Sequence, residues 1–193
     1  MPRKASTKTK TTKTKATKTT KKTTKKVATK EIQVVPIKRP VEELTSSTTG
    51  ISVDTQIISE LNLSGTKILK LQAEQLEGKN LKIIADDQYF KQASCIANIC
   101  SQMLDIALEK LSDGSTTHIK VAPNTELYNK ENSSVKAQEL LDGQIIKGVF
   151  SDFKIKEVHI FNNSYDRIIN FISTETDKYM LENGVLVGCG KVE

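Results

Sequence analysis

The sequence has no tryptophan, and only four Tyr and five Phe among 193 residues. Side chains on which single-stranded bases could stack are therefore in short supply. Its three Cys are an odd number, which argues against a disulfide framework and fits a reducing compartment. Cys95 and Cys100 fall five residues apart in a stretch expected to be helical, about 7.5 Å along the axis, too far for a disulfide. Cys95, Cys100 and Cys189 form no Cys-x-x-Cys pair. The two His, His118 and His159, each precede an Ile in an expected strand, with no Cys or His at metal-ligand spacing. No metal and no cofactor are expected. No apolar run approaches the roughly 20 residues that span a bilayer, and no apolar segment follows the charged N-terminus as a secretory signal requires. The expected location is inside a cell or a particle made there (nucleus, nucleoid or virion interior), without membrane association or secretion.

The sharpest shortage is of negative charge in the first thirty residues, which contain eleven Lys, one Arg, eleven Thr and no acid. Of the 29 basic residues, 17 remain in residues 31–193 against all 23 acidic ones, so a chain at +6 divides into a cationic arm and a body at −6. Lys/Thr alternation cannot bury apolar surface, so residues 1–30 are expected to be a disordered tail. The tail resembles the Lys-rich tails of linker histones and the histone-like basic proteins of bacteria and viruses. That resemblance covers only these thirty residues and implies a mode of contact.

The candidate phosphate-contacting residues are Arg3, Lys4, Lys8, Lys10, Lys13, Lys15, Lys18, Lys21, Lys22, Lys25, Lys26 and Lys30. Lys neutralises phosphates with counterion release and little sequence preference, whereas Arg is the residue suited to reading base edges. Lys outnumbers Arg 26 to 3. The expected partner is nucleic acid, DNA in the first instance, bound without sequence preference. Import or solubility alone is the alternative use of such a tail.

Residues 31–50 read as a linker. Ile32, Val34, Val35 and Ile37 make a short apolar segment, Pro36 and Pro40 exclude a helix there, and Thr45-Ser46-Ser47-Thr48-Thr49-Gly50 is a flexible run. Residues 51–193 read as a single globular domain. Short strands are expected at 67–71, 81–85 and 118–121. Between them, Phe90, Ala93, Ala97, Cys100, Leu104, Ala107 and Leu111 recur at spacings of three and four opposite a polar face. This predicts an amphipathic helix over 87–112, started by Asp86 and Asp87. A further helical turn or two is expected over 135–141. The C-terminal part reads as a meander of strands at 144–150, 153–161, 167–173, 179–181 and 185–187, with a hairpin turn at Asn183-Gly184. The expected fold is α+β: an antiparallel sheet, with this meander and hairpin, packed on one long amphipathic helix.

No constellation carries recognisable chemistry. The stretch from Gly184 to Lys191 has the wrong glycine spacing for a phosphate loop and no helix to follow it. Asp142, Asp152, Glu157, Asp166, Glu175 and Asp177 read as solvated turn acids. The expected function is that of a non-enzymatic, nucleic-acid-associated protein whose acidic body self-associates or docks a protein partner. The alternative is a structural protein of a virus-like particle, and after it an enzyme with a site the sequence does not reveal, built around His118 or His159.

Overall fold

The computed structural model describes residues 44, 46–61, 67–162 and 166–190. The twelve cations of the tail and the apolar segment at 32–37 lie outside these. Among the described residues there is no α-helix and no helix long and apolar enough to cross a membrane. Among the described residues the regular elements are fourteen strands and two single 3-10 turns.

The strands are β1 (Ile51–Ser52), β2 (Gln56–Leu61), β3 (Lys67–Gln72), β4 (Asn80–Ile84), β5 (Phe90–Cys100), β6 (Met103–Lys110), β7 (Thr116–Val121), β8 (Glu126–Tyr128), β9 (Ser134–Lys136), β10 (Ile145–Ile146), β11 (Phe153–Phe161), β12 (Asp166–Ile172), β13 (Lys178–Met180) and β14 (Leu186–Gly188). Ten form one sheet in the order β10-β11-β6-β7-β1-β12-β5-β4-β2-β3, and four form a second in the order β13-β14-β8-β9. All named strand pairs are antiparallel.

The α+β expectation is therefore corrected, and the error has one source. The predicted helix over 87–112 is the long strand β5, a corner at Ser101-Gln102, and the strand β6. Positions i and i+4 share a face in a helix and also in a strand, because four is a multiple of the strand period. Ala93 and Ala97, or Leu104 and Leu108, thus fit both patterns. The residues midway between them decide: Cys95 is buried between exposed Ser94 and Ile96, and Ile106 is buried between Leu104 and Leu108. Asp86 and Asp87 cap no helix. They sit in the β4–β5 turn, where Gln88 has φ 65° and the Asp87 carboxylate accepts the Tyr89 N–H at 3.0 Å.

The meander is corrected too. Strands β11 and β12 are consecutive but do not pair: β11 lies on β6 and β12 lies on β5. The hairpin at Asn183-Gly184 does form, with Leu181 N–H to Val185 C=O at 2.9 Å and Gly184 at φ 95°. The 135–141 stretch is β9 followed by the 3-10 turn Ala137–Glu139.

Of three core clusters among the described residues, the largest includes Ile51, Leu81, Leu104, Ile106, Phe153, Ile169 and Phe171. Tyr179 packs edge-on against Phe171 with ring centroids 4.9 Å apart. The two-residue β1 runs through the middle of the large sheet. Ile51, wholly buried, pairs with Val121 of β7 on one side and Ile169 of β12 on the other. The chain thus enters the domain at its centre.

Candidate functional site

The residue before β1 is Gly50, with φ 134°, a backbone conformation that side chains with a Cβ rarely adopt. A Cβ there would lie 2.6 Å from the Asn170 Oδ1 and 2.8 Å from the Ile169 carbonyl oxygen. Both are on β12, so only glycine fits.

The peptide groups of Gly50 are held by the loop between β7 and β8. Val121-Ala122-Pro123-Asn124-Thr125 leaves the sheet at the proline and folds back, with Thr125 N–H to Ala122 C=O at 3.1 Å. This turns the Thr125 side chain inward, where it is 3% exposed. Its hydroxyl oxygen accepts the Gly50 N–H at 2.9 Å, and the hydroxyl donates to the Gly50 carbonyl, also at 2.9 Å. The Ala122 N–H donates to the same carbonyl at 2.9 Å. One buried threonine therefore satisfies both polar groups of one residue that has no side chain of its own.

The approach to Gly50 is held as well. Asn124 N–H donates to the Thr48 carbonyl at 2.8 Å, and the Asn124 amide donates to the Thr48 hydroxyl at 2.9 Å. Ser47 N–H donates to the Ile99 carbonyl at 2.8 Å, and Leu44 is buried in the core. This run, expected to be part of a flexible linker, lies along the ends of β5 and β7.

The exit of the chain returns to the same place. Gly190 N–H donates to the Phe171 carbonyl at 2.8 Å, and Gly190 bridges to Ile172. Gly50 leans on Ile169 and Asn170, so entry and exit meet β12 within residues 169–172. The next residue of the β8 side joins them: a Cβ on Gly188 would lie 2.9 Å from the Glu126 Cβ, beside Thr125. The stretch from Gly184 to Gly190 is instead the hairpin turn, the strand β14 and the residues after it, with Gly188 set by its close approach to Glu126.

The nucleophiles and bases within reach are few. Gly50, Gly188 and Gly190 carry no side chain. Cys189 donates its N–H to the Asp177 carbonyl at 2.8 Å, and burial, followed by the Asp177 carboxylate, pushes its thiol up to about 12. We expect its alkylation by iodoacetamide at pH 8 to run about a thousandfold slower than that of an ordinary thiol of pKa about 8.5, as peptide mass spectrometry over time can check. Burial also raises Cys95, Tyr128 and Tyr179. These acids ionise in the unfolded chain before they do so in the fold, so their contribution to stability is full below about pH 8.5, the unfolded thiol value, and is lost as pH climbs. Urea midpoints measured from pH 7 to 10.5 are expected to fall above pH 8.5 and to be flat below it.

The histidines face elsewhere. His118 on β7 is exposed, its Nδ1 3.0 Å from Asp105 Oδ1, and His159 on β11 is exposed, its Nε2 3.0 Å from Glu157 Oε1. Neither is hydrogen-bonded at the Gly50 junction. No group of three or more His, Cys, Asp or Glu suited to a metal occurs among the described residues.

A buried ion network braces β12 itself. The Arg167 guanidinium pairs with Glu77, 2% exposed, which follows the 3-10 turn Ala73–Leu76, and lies 3.5 Å from Glu74 within that turn. Sequence reasoning passed over Gly50, Thr125 and Arg167. The available signal was a Thr-Thr-Gly run abutting the first strand, which composition alone assigns to a loop.

No protein-family model and no curated protein matches the chain. Its structure is similar to that of a bacterial intein-like domain from Clostridium thermocellum, with a TM-score of 0.53 at 15% identity, over 74% of this chain and 99% of that one. It is similar to the transcription factor IIB Mvu mini-intein at TM-score 0.57 and 16% identity, over 72% and 99%. With the VidaL intein the TM-score is 0.59 at 13% identity, over 74% and 98%. The fold is thus intein-like.

This overturns the functional expectation. The expectation of a non-enzymatic, DNA-binding or virion structural protein with the body as its assembly module is corrected by the intein-like fold. Its structural neighbours are inteins and an intein-like domain, and the body shares their fold.

Proposed function

We propose that this chain uses the intein-like fold to act on its own polypeptide at Gly50, gripping the peptide that leads into β1 and holding it uncut. The observation that carries this reading is the double hydrogen bond of the Thr125 hydroxyl to the Gly50 N–H and carbonyl. Exchange of a peptide bond by acyl shift starts from a hydroxyl or thiol on the residue that follows the bond. Residue 50 supplies neither, and its φ and its neighbours leave no room for one. The same grip that could present a peptide for attack here fixes its geometry, and the meeting of entry and exit on β12 turns both ends of the domain into one anchored point.

Two measurements test it. Intact mass of the full chain, kept for days at neutral pH with dithiothreitol or hydroxylamine, is expected to stay at that of 193 residues. A fragment beginning at Gly50 overturns the reading and assigns the cleavage chemistry of the neighbours to this chain. Thr125→Ala removes the partner of two peptide groups at a buried site, so we expect a loss of about 2 kcal/mol in urea unfolding. Amide exchange at Gly50 is expected to accelerate more than global unfolding explains. Thr125→Ser keeps the hydroxyl and is expected to retain the protection.

A further inference from the structure

Among the described residues, the large sheet has an open edge at β11. On the inner side β11 pairs with β6 along its length, whereas on the outer side β10 covers only Phe153 and Lys154. The Gly143 and Gln144 backbone extends that cover to Ile155, with bonds of 2.8 Å in each direction. Beyond Ile155 the strand runs on for six residues, Lys156-Glu157-Val158-His159-Ile160-Phe161. A bulge falls between Ile155 and Glu157, and from Glu157 the register against β6 is regular. This stretch carries apolar residues in the open: Ile160 is 60% and Phe161 46% exposed.

An uncovered strand edge offers its main-chain groups to another strand, and the sequence here complements itself. If two copies lie antiparallel about a two-fold axis at Val158, Glu157 of each faces His159 of the other, and Lys156 faces Ile160. The Glu157–His159 contact is duplicated by the symmetry, as an isologous interface requires, and it adds to the pair that each chain already makes between these two side chains at 3.0 Å. The pairing also ends where the edge does. The second copy's Phe161 would fall opposite Ile155, against the turn where Leu141 is 66% exposed. Lys156, the residue that ordinarily protects an edge, is drawn inward across β6 to Glu109 at 3.0 Å.

We propose that this edge takes a second copy of the same chain, forming a symmetric dimer through antiparallel β11 pairing centred on Val158. The interface is short, so the dimer is a weak one. The net charge of +6 per chain opposes it at low salt.

The test uses the full chain under reducing conditions in about 0.3 M salt, which shortens the screening length to well under 10 Å. Light scattering on a sizing column is expected to show the mass rising from 21.4 kDa towards twice that value as loading increases from micromolar to high micromolar. Ile160→Lys sets a cation opposite Lys156 without touching the core, and is expected to weaken association at least tenfold. Val158→Cys places two thiols at the self-paired position, about 5 Å apart at Cβ, and is expected to give a disulfide dimer on oxidation. Lys70→Cys on β3, the opposite edge of the sheet, serves as the control and is not expected to do so. A mass constant at 21.4 kDa throughout overturns the proposal. So does a dimer that survives Ile160→Lys, or one that Val158→Cys crosslinks no better than Lys70→Cys.

Discussion

Gly50→Ala is expected to be the most damaging single substitution at the junction, costing about 3 kcal/mol or more in urea unfolding. Two penalties act together. A residue with a Cβ at φ 134° carries backbone strain of about 1–3 kcal/mol. Its Cβ must also push aside the Ile169 carbonyl and the Asn170 side chain, at 2.8 and 2.6 Å, and such overpacking typically costs another 1–3 kcal/mol. The Ile169 carbonyl belongs to the register of β12 with β1 and β5, so it cannot give without opening the centre of the sheet. Gly78 offers the comparison: it too has positive φ, but nothing lies within 4 Å of an added Cβ. Gly78→Ala is therefore expected to cost about 1 kcal/mol, from backbone conformation alone. Equal losses at the two positions would sink the packing half of the argument.

The second large effect is expected at Arg167. Replacing it by alanine leaves the Glu77 carboxylate, 2% exposed, without the guanidinium that faces it. Removing one member of a buried ion pair costs about 3–5 kcal/mol because the remaining charge stays desolvated. The Arg167 Nε is buried with no hydrogen-bond partner, so the network is incompletely satisfied and sits at the lower end of that range. Adding Glu77→Gln to Arg167→Ala is expected to recover part of the loss, since one of the two carboxylates that faced the guanidinium is then neutral. A double-mutant cycle in urea reads the coupling directly, and additivity of the two changes would refute it. Because Arg167 lies on β12, its loss is also expected to loosen the Gly50 junction, visible as faster amide exchange at Gly50.

Parts of this fold were legible from alternation and turn chemistry. The strand expected at 153–161 coincides with β11, that at 167–173 overlaps β12, and Asn183-Gly184 makes the hairpin it promised. In each case the signal is local, because period-two burial or a positive φ is written in adjacent residues. The helix over 87–112 failed for the opposite reason. Ala93, Ala97, Leu104 and Leu108 obey two periodicities at once. The choice between them was made by β4 and β12 flanking β5, and by β7 and β11 flanking β6.

What the sequence determined by itself is the division of charge, a cationic first thirty residues on a body of opposite sign, together with the short strands whose partners did not matter. Only the tertiary structure decided the pairing order that separates β11 from β12, and through it the site. Thr125 reaches Gly50 across 75 positions of sequence, and Gly190 returns to a strand that Gly50 also touches. No local pattern encodes such contacts. A glycine before a strand and a threonine after a proline are ordinary loop residues until the sheet sets one hydroxyl on both backbone polar groups of one residue.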